Sequence, residues 1–226
     1  MTVYNAPLNE IKFLMKDVLG IEEIASLDGY EDATEETIDA ILEEAAKLGR
    51  DIIAPLGRTS DTQGAVWNDQ KVTTSPGFKE AYEQFVEGGW QGLGCDPEFG
   101  GMGLPFLLSN AVNEIWNSSS IAFGLCPMLT GGAIEAIETH GSDEQKEKYL
   151  PKMISGEWTG TMNLTEPSAG SDLAAISTKA VPQEDGTYKI SGQKIFITFG
   201  EHDLTENIIH LVLARTPDAP AGSRGI

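Results

Sequence analysis

The sequence is short of positive charge. Its 226 residues hold 15 Lys+Arg against 35 Asp+Glu, a formal net charge of −20 at pH 7. A groove for nucleic-acid phosphates needs clustered basic side chains, and an anionic membrane surface would repel so acidic a chain, so neither partner class is expected. Cysteine is scarce too. Cys95 and Cys126 are too few for a disulfide framework and accord with a reducing, cytoplasmic compartment. The three histidines, His140, His202 and His210, form no HExxH pair, and the adjacent Glu201, His202 and Asp203 do not naturally converge on one ion, so no metal site is expected. GxSxG is absent, which removes the usual serine-hydrolase signature. No run approaches eighteen consecutive apolar residues, so no membrane span is expected. The opening MTVYNAPLNEIKF lacks the basic and apolar regions of a cleaved secretory signal. Apolar residues at 40% and charged residues at 22% still describe a folded chain.

What is present changes character partway along. Acidic residues crowd positions 22–44, with no basic residue among them, and read as a solvated face. Ile38, Ile41, Leu42, Ala45 and Leu48 recur at helical spacing. Asp32 and Glu35 have capping-pair spacing before that helix, and Pro55 is expected to stop it near Ala54. Residues 57–77 read as an exposed excursion. Phe78, Tyr82, Phe85 and Val86 then stripe a helix ended by Gly88 and Gly89. The stretch GLGCDPEFGGMGLP is a packed loop or a ligand wall. Two apolar helices fit 105–117 and 121–139, and a third opens on a Ser142–Gln145 capping box and ends at Pro151. From Trp158 the segments 158–164, 175–182, 187–190, 193–199 and 208–215 are short and rich in Thr, Ile and Val. Asp185–Gly186 and Ser191–Gly192 lie between them, which predicts antiparallel strands and hairpins. The expected class is α+β: a helical domain over residues 1–157, then a middle β-domain over 158–226. Because the last residues form a turn leading into Ile226, that β-domain is expected to be an incomplete antiparallel barrel or sandwich, and the chain a piece of a larger one.

Two segments could carry chemistry. TMNLTEPSAGSDL, residues 161–173, places Thr165, Ser168, Gly170, Ser171 and Asp172 within eight positions. Its N–H groups and hydroxyls could form an anion nest or bond a polar ring edge, or the loop could simply satisfy its own backbone. Neither a Walker loop nor a GxGxxG fingerprint is present. In GQKIFITFG, residues 192–200, strand geometry would point Ile195, Ile197 and Phe199 one way and Lys194, Phe196 and Thr198 the other. Phe196 beside Thr198 would offer a planar face next to a donor, which suits a flat heterocycle; a core strand is the alternative. Lys179, Lys189, Lys194 and Arg215 would relieve the acidity that phosphates meet nearby.

TMNLTEPSAGSD and GQKIFITFG, about twenty residues apart, resemble the paired flavin-site motifs of the acyl-CoA dehydrogenase family. GWQGLGCDPEFGGMGLP, THGSDEQKEKYLPKMISGEWTGTM and LVLARTPDAPAGSRGI agree in order, so the resemblance covers essentially the whole chain. YNAPLNEIKF, the acidic first section and GEHDLTENIIHLVLAR are similar to a long subgroup that includes enzymes acting on 3-methylmercaptopropionyl-CoA and on fatty acyl-CoA.

The resemblance implies a helical domain, a middle β-domain and a C-terminal four-helix domain, with FAD between the last two. It implies oxidation of an acyl-CoA to a 2,3-enoyl-CoA, electron transfer to an electron-transferring flavoprotein, and a homodimer or homotetramer. Carried onto this sequence, Met162 and Leu164 line the flavin, Thr165 bonds its pyrimidine edge, and Gly170 and Ser171 hold its pyrophosphate. Ser171 also approaches the substrate, Phe196 packs on the ring system where many members have Trp, and Thr198 bonds near N5. Family members take their catalytic base, a glutamate, from the C-terminal domain; no residue here matches it, and neither Glu166 nor Glu201 is assigned to the role. Two rivals remain open: an acyl-CoA oxidase or nitroalkane-oxidising relative, and a non-catalytic binding or assembly protein of the same fold.

Overall fold

The computed structural model describes residues 4–226. Three short pieces come first: α1 (Leu8–Phe13), a wide π turn over Leu14–Val18, and α2 (Ile21–Ala25). In α3 (Glu35–Leu48) the apolar spacing turns Ile38, Leu42 and Ala45 inward. Its cap is Thr34, whose hydroxyl accepts the Thr37 N–H at 3.2 Å, so the helix begins two residues later than a cap at Asp32 would place it. Nor does Pro55 stop this helical run. The chain continues through a π turn, Gly49–Ile53, and Pro55 itself is αR before α4 (Leu56–Thr62). Proline is tolerated there because an opening turn needs no N–H from it. Gly49 is required for a different reason: a Cβ would lie 2.6 Å from Ser119 Oγ.

The segment 57–77 is therefore half helix and half hairpin. Strand β1 (Val66–Asn68) pairs antiparallel with β2 (Lys71–Thr73), and Asp69 and Gln70, both at positive φ, make the two-residue turn. Helices α5 (Phe78–Glu87), α6 (Phe106–Ser119) and α7 (Ile121–His140) close around one core, in which Leu42, Ile53, Phe85, Ile115, Trp116 and Phe123 are fully buried. Phe85 meets Trp116 and Phe123 edge-on, with ring centroids 5.9 and 6.0 Å apart. Helix α7 is long and apolar enough to cross a membrane, although its sequence contains no unbroken apolar run of that length. Here its buried residues pack against α6, α8 (Asp143–Ile154) and the first strand of the β-region.

α8 opens with the Ser142–Gln145 capping box. Pro151 does not end it. The missing N–H costs one hydrogen bond near the helix end, and burial of Leu150, Met153 and Ile154 holds the last turn in place.

The β-region corrects the expected pairing. Strand β3 (Trp158–Asn163) runs parallel to β6 (Asn207–Val212), with Met162 opposite Leu211, and the intervening residues form the crossover. The antiparallel pair is β4 (Lys179–Pro182) with β5 (Tyr188–Ser191), turning at Asp185–Gly186 with Gly186 at φ 83°. Residues 193–199 are not a strand, because Phe196 and Phe199 adopt positive φ and break the two-residue alternation. One face of the β3–β6 pair lies on α7 and α8, where Ile209 and Leu211 join Ala133, Ile134 and Met153.

That contact depends on Gly160. A Cβ there would lie 2.5 Å from Ala133 Cβ and 2.8 Å from Met153 Cε. Gly160→Ala is therefore expected to lift β3 from α7 and destabilise the protein by about 1–3 kcal/mol. Gly132→Ala, with nothing within 4 Å of the added methyl, should gain up to about 1 kcal/mol from helix propensity. Urea denaturation of the two variants checks both signs.

Candidate functional site

β3 delivers residues 161–165 to the edge of the helical core. Immediately afterwards the chain closes on itself: Glu166 N–H donates to Ala169 O at 3.0 Å, and Ala169 N–H returns to Glu166 O at 3.1 Å. This tight turn buries the Glu166 side chain, which is 1% exposed. Its carboxylate accepts from Ser177 N–H and Oγ–H, both at 2.7 Å, from Thr178 N–H at 3.0 Å, and from Lys194 Nζ at 3.0 Å. Lys194 also donates to Leu164 O at 2.8 Å, and Ile195 N–H donates to Thr165 O at 3.0 Å. The two motifs singled out in the sequence are thus fastened together by a buried ion pair and a backbone bond. Burial alone would raise the Glu166 carboxyl, but hydrogen bonds from Thr178, Ser177 and Lys194 outweigh it and hold the group well below the usual carboxylate range. A carboxylate committed to four donors is an anchor, not a base.

Around this anchor the expected ligand-facing residues stand in different states. Met162, Leu164, Thr165 and Thr198 are half-buried. Gly170 and Ser171 are exposed beyond the closed turn, and nothing lies within 4 Å of a Cβ built on Gly170. Phe196 is 89% exposed at φ 56°, so a large aromatic ring is held open by a backbone conformation that non-glycine residues rarely adopt. The fixed partners therefore bring Leu164, Thr165, Glu166, Lys194 and Ile195 together, while Gly170, Ser171 and Phe196 project from that frame. An open aromatic face, hydroxyls at Thr165, Ser171 and Thr198, and an unobstructed glycine turn suit a planar heterocycle carrying a pyrophosphate, so the residues present fit FAD.

The basic residues expected to offset phosphate charge divide. Lys194 is consumed by Glu166. Arg215 is consumed by carbonyls, donating to Ile176 O at 3.0 Å, Gly222 O at 2.9 Å and Ala174 O. Lys179 and Lys189 remain exposed on β4 and β5.

Sequence reasoning missed the polar layer on the opposite face of β3. The triplet 201–203 splits three ways: Glu201 is exposed, Asp203 accepts from Thr74 N–H at 2.9 Å and Thr74 Oγ–H at 2.7 Å, and His202 is buried. His202 Nδ1 accepts the Leu204 N–H, so its Nε2–H donates to Thr159 Oγ1 at 2.9 Å. Burial pushes its pKa down to about 4 against the opposing pull of Asp203. The two thiols are likewise inert: burial pushes Cys95 up to about 11 and Cys126 up to about 12.

Comparison with known proteins gives the same two segments a context. The family model for the acyl-CoA dehydrogenase N-terminal domain matches residues 34–157, and that for the acyl-CoA dehydrogenase middle domain matches residues 161–226. The 3-methylmercaptopropionyl-CoA dehydrogenase of Ruegeria pomeroyi is 52% identical over 99% of this chain and 38% of its own length. A butyryl-CoA dehydrogenase of Syntrophomonas wolfei is 41% identical over 99% of this chain and 37% of its own. Among solved structures, butyryl-CoA dehydrogenase from Megasphaera elsdenii superposes with a TM-score of 0.67 at 26% identity, covering 83% of this chain and 45% of that one. The electron transferring flavoprotein of Acidaminococcus fermentans gives 0.68 at 30% identity, covering 81% and 44%. The chain thus spans less than half the length of each of these relatives.

Two outcomes follow from the buried charges. Lys194→Met strands the Glu166 carboxylate and should cost about 3–5 kcal/mol by chemical denaturation. His202 is taken up neutral on folding, whereas the unfolded chain binds its proton near pH 6.5. Stability should therefore fall as pH drops from about 6.5 towards 4, by on the order of 3 kcal/mol in all. His202→Leu should show a flatter pH dependence of unfolding free energy across that window, whatever its baseline.

Proposed function

The chain belongs to the acyl-CoA dehydrogenase family, and on that premise we propose that it forms the flavin-side part of an FAD-dependent oxidoreductase. The reaction is α,β-dehydrogenation of an acyl-CoA thioester to a 2,3-enoyl-CoA. The division into a helical domain, residues 1–157, and a middle domain, 158–226, is part of this reading.

The observation that carries it is Phe196. A ring 89% exposed, at φ 56°, on a segment pinned by Lys194 and Ile195, is a surface built to be covered. In this reading Phe196 supplies the aromatic face beneath the isoalloxazine, and Met162 and Leu164 exclude water from its edge. Thr165 donates to the pyrimidine edge and Thr198 to the region of N5. Gly170 and Ser171 receive the pyrophosphate, Ser171 also meeting the acyl-CoA. When bound, FAD supplies the acceptor for the hydride leaving the β-carbon. The chain's own residues fix its orientation and aim neutral donors at the edge where negative charge accumulates. Phe196 in place of the Trp common in the family keeps the aromatic face and gives up one N–H.

For the acyl chain we propose the cleft of about 440 Å³ between α6 and α7, bordered by Phe106, Met128, Gly131 and Gly132. Buried Gln91 Oε1 and Ser109 Oγ lack hydrogen-bond partners at its wall. The 52% identity to a 3-methylmercaptopropionyl-CoA dehydrogenase supports a short methylthio-bearing ester as the first substrate to try. Met128, 48% exposed at the cleft, offers a soft contact for such a group. An electron-transferring flavoprotein as acceptor, assembly as a homodimer or homotetramer, and a cytoplasmic setting complete the proposal; two unpaired, protonated thiols accord with the last.

The test is FAD titration of the intact protein. Phe196→Ala and Thr165→Val should each weaken flavin binding about tenfold or more, the first by losing the stacking surface and the second by losing a donor. Turnover of short, branched and methylthio CoA esters should then need a flavoprotein acceptor. Binding unchanged in both variants, or steady oxygen consumption in place of acceptor reduction, would overturn the assignment.

A further inference from the structure

The face of β3–β6 turned away from α7 lines a separate, partly open cavity of about 720 Å³, bordered on its other side by the β1–β2 hairpin and the start of α5. Its walls combine Val72, Phe78 and Phe199 with Ser75, Asn163 and His210. The pleat keeps Met162 out of it, since Met162 and Asn163 point to opposite faces of β3, and the other residues read as flavin-facing are not among its lining. The hairpin is not loosely laid over the opening, since Asp203 holds Thr74 by two hydrogen bonds.

The polar groups have a defined hydrogen-bonding sense. Thr161 Oγ1–H donates to Asn163 Oδ1 at 2.7 Å, which spends the only hydroxyl proton. His210 Nδ1, 2.6 Å from the same oxygen, must therefore be the donor, leaving Nε2 as a lone-pair acceptor. Asn163 has its Oδ1 occupied and keeps its amide N–H groups to offer. Ser75, only 5% exposed, has a buried Oγ with no partner. Lys194 also reaches this wall, but its charge is already met by Glu166, and the exposed Glu201 disfavours an anion. An acceptor and a donor, both tied to the Thr161 hydroxyl in one cavity with aromatic walls and without net positive charge, complement one chemical group in particular.

We propose that this cavity is a second small-molecule site, and that it takes an uncharged carboxamide carried on an apolar or aromatic body. The amide N–H donates to His210 Nε2, its carbonyl accepts from Asn163, and the body lies between Phe78 and Phe199. The volume is within the range of pockets that enclose such ligands. The site is independent of the flavin reading, since it uses no flavin-facing side chain.

Benzamide is the probe, with toluene as the ring without the amide, each titrated into the intact protein by calorimetry and by NMR of the His210 imidazole. Benzamide should bind saturably and at least tenfold more tightly than toluene. Asn163→Leu should remove that margin, and Val72→Trp, which fills the cavity from the hairpin without touching the polar row, should abolish binding of both. Thermal melting separates loss of binding from loss of fold, and Val72→Trp, on the exposed hairpin, serves if Asn163→Leu does not fold. No saturable binding, equal affinity for the two probes, or full affinity in Val72→Trp would overturn the proposal. FAD affinity, measured in the same variants, distinguishes this failure from failure of the flavin reading.

Discussion

The ion pair between Glu166 and Lys194 is the constraint on which the site depends. Both side chains are removed from water, at 1% and 10% exposure, so their attraction has to offset two desolvation penalties. It does so because the remaining lone pairs and protons are also used: Ser177 and Thr178 complete the carboxylate, and Leu164 O takes a second ammonium proton. Such a pair adds little net stability compared with a well-packed apolar substitute. Its value is geometric, since it joins a loop at 164–169 to a segment at 194–196 that shares no strand ladder with it. Thr165 and Phe196 lie within two residues of that joint along the chain.

The helical half supplies the platform. Gly160 lets β3 lie against α7 and α8 more closely than any side chain would permit, so the strand that feeds the site inherits the rigidity of the buried helices. The other face of the same strand carries polar groups whose protons are arranged without ambiguity. His202 is an Nε2–H donor, set by the Leu204 N–H on its Nδ1, and His210 an Nδ1–H donor, set by Thr161; each donates to a threonine on β3. One thin pair of strands thus separates two chemically different surfaces, one turned to the helical core and one to the cavity under the hairpin.

Local rules were legible where the chain satisfies them locally. The Ser142–Gln145 box, the stripe on α5 and the Asp185–Gly186 turn appear where spacing predicts them. Thr34 is hard to single out as the cap because Asp32 and Glu35 offer capping spacing two residues earlier. Pro55 and Pro151 look like helix stops, yet Pro55 sits where α4 opens and no N–H is needed from it, and burial of Leu150, Met153 and Ile154 keeps the backbone helical past Pro151. At 193–199 the alternation of Lys194, Phe196 and Thr198 with Ile195, Ile197 and Phe199 imitates a strand, but Lys194 is drawn inward to Glu166 and Phe196 takes a positive φ. The motif residues were readable as a set; their orientation was not.

By itself the sequence determined the elements that short-range physics decides: amphipathic helices, the change of period near Trp158, and two polar, glycine-bearing motifs of recognisable family type. It also determined that the chain would be strongly acidic and poor in free cations. Only the tertiary structure decided the parallel pairing of β3 with β6, the commitment of Lys194 and Arg215 to internal partners, and the outward display of Phe196. These are contacts between residues tens of positions apart, and their free energy resides in desolvation, close approach and hydrogen-bond completion, none of which is a property of spacing along the chain.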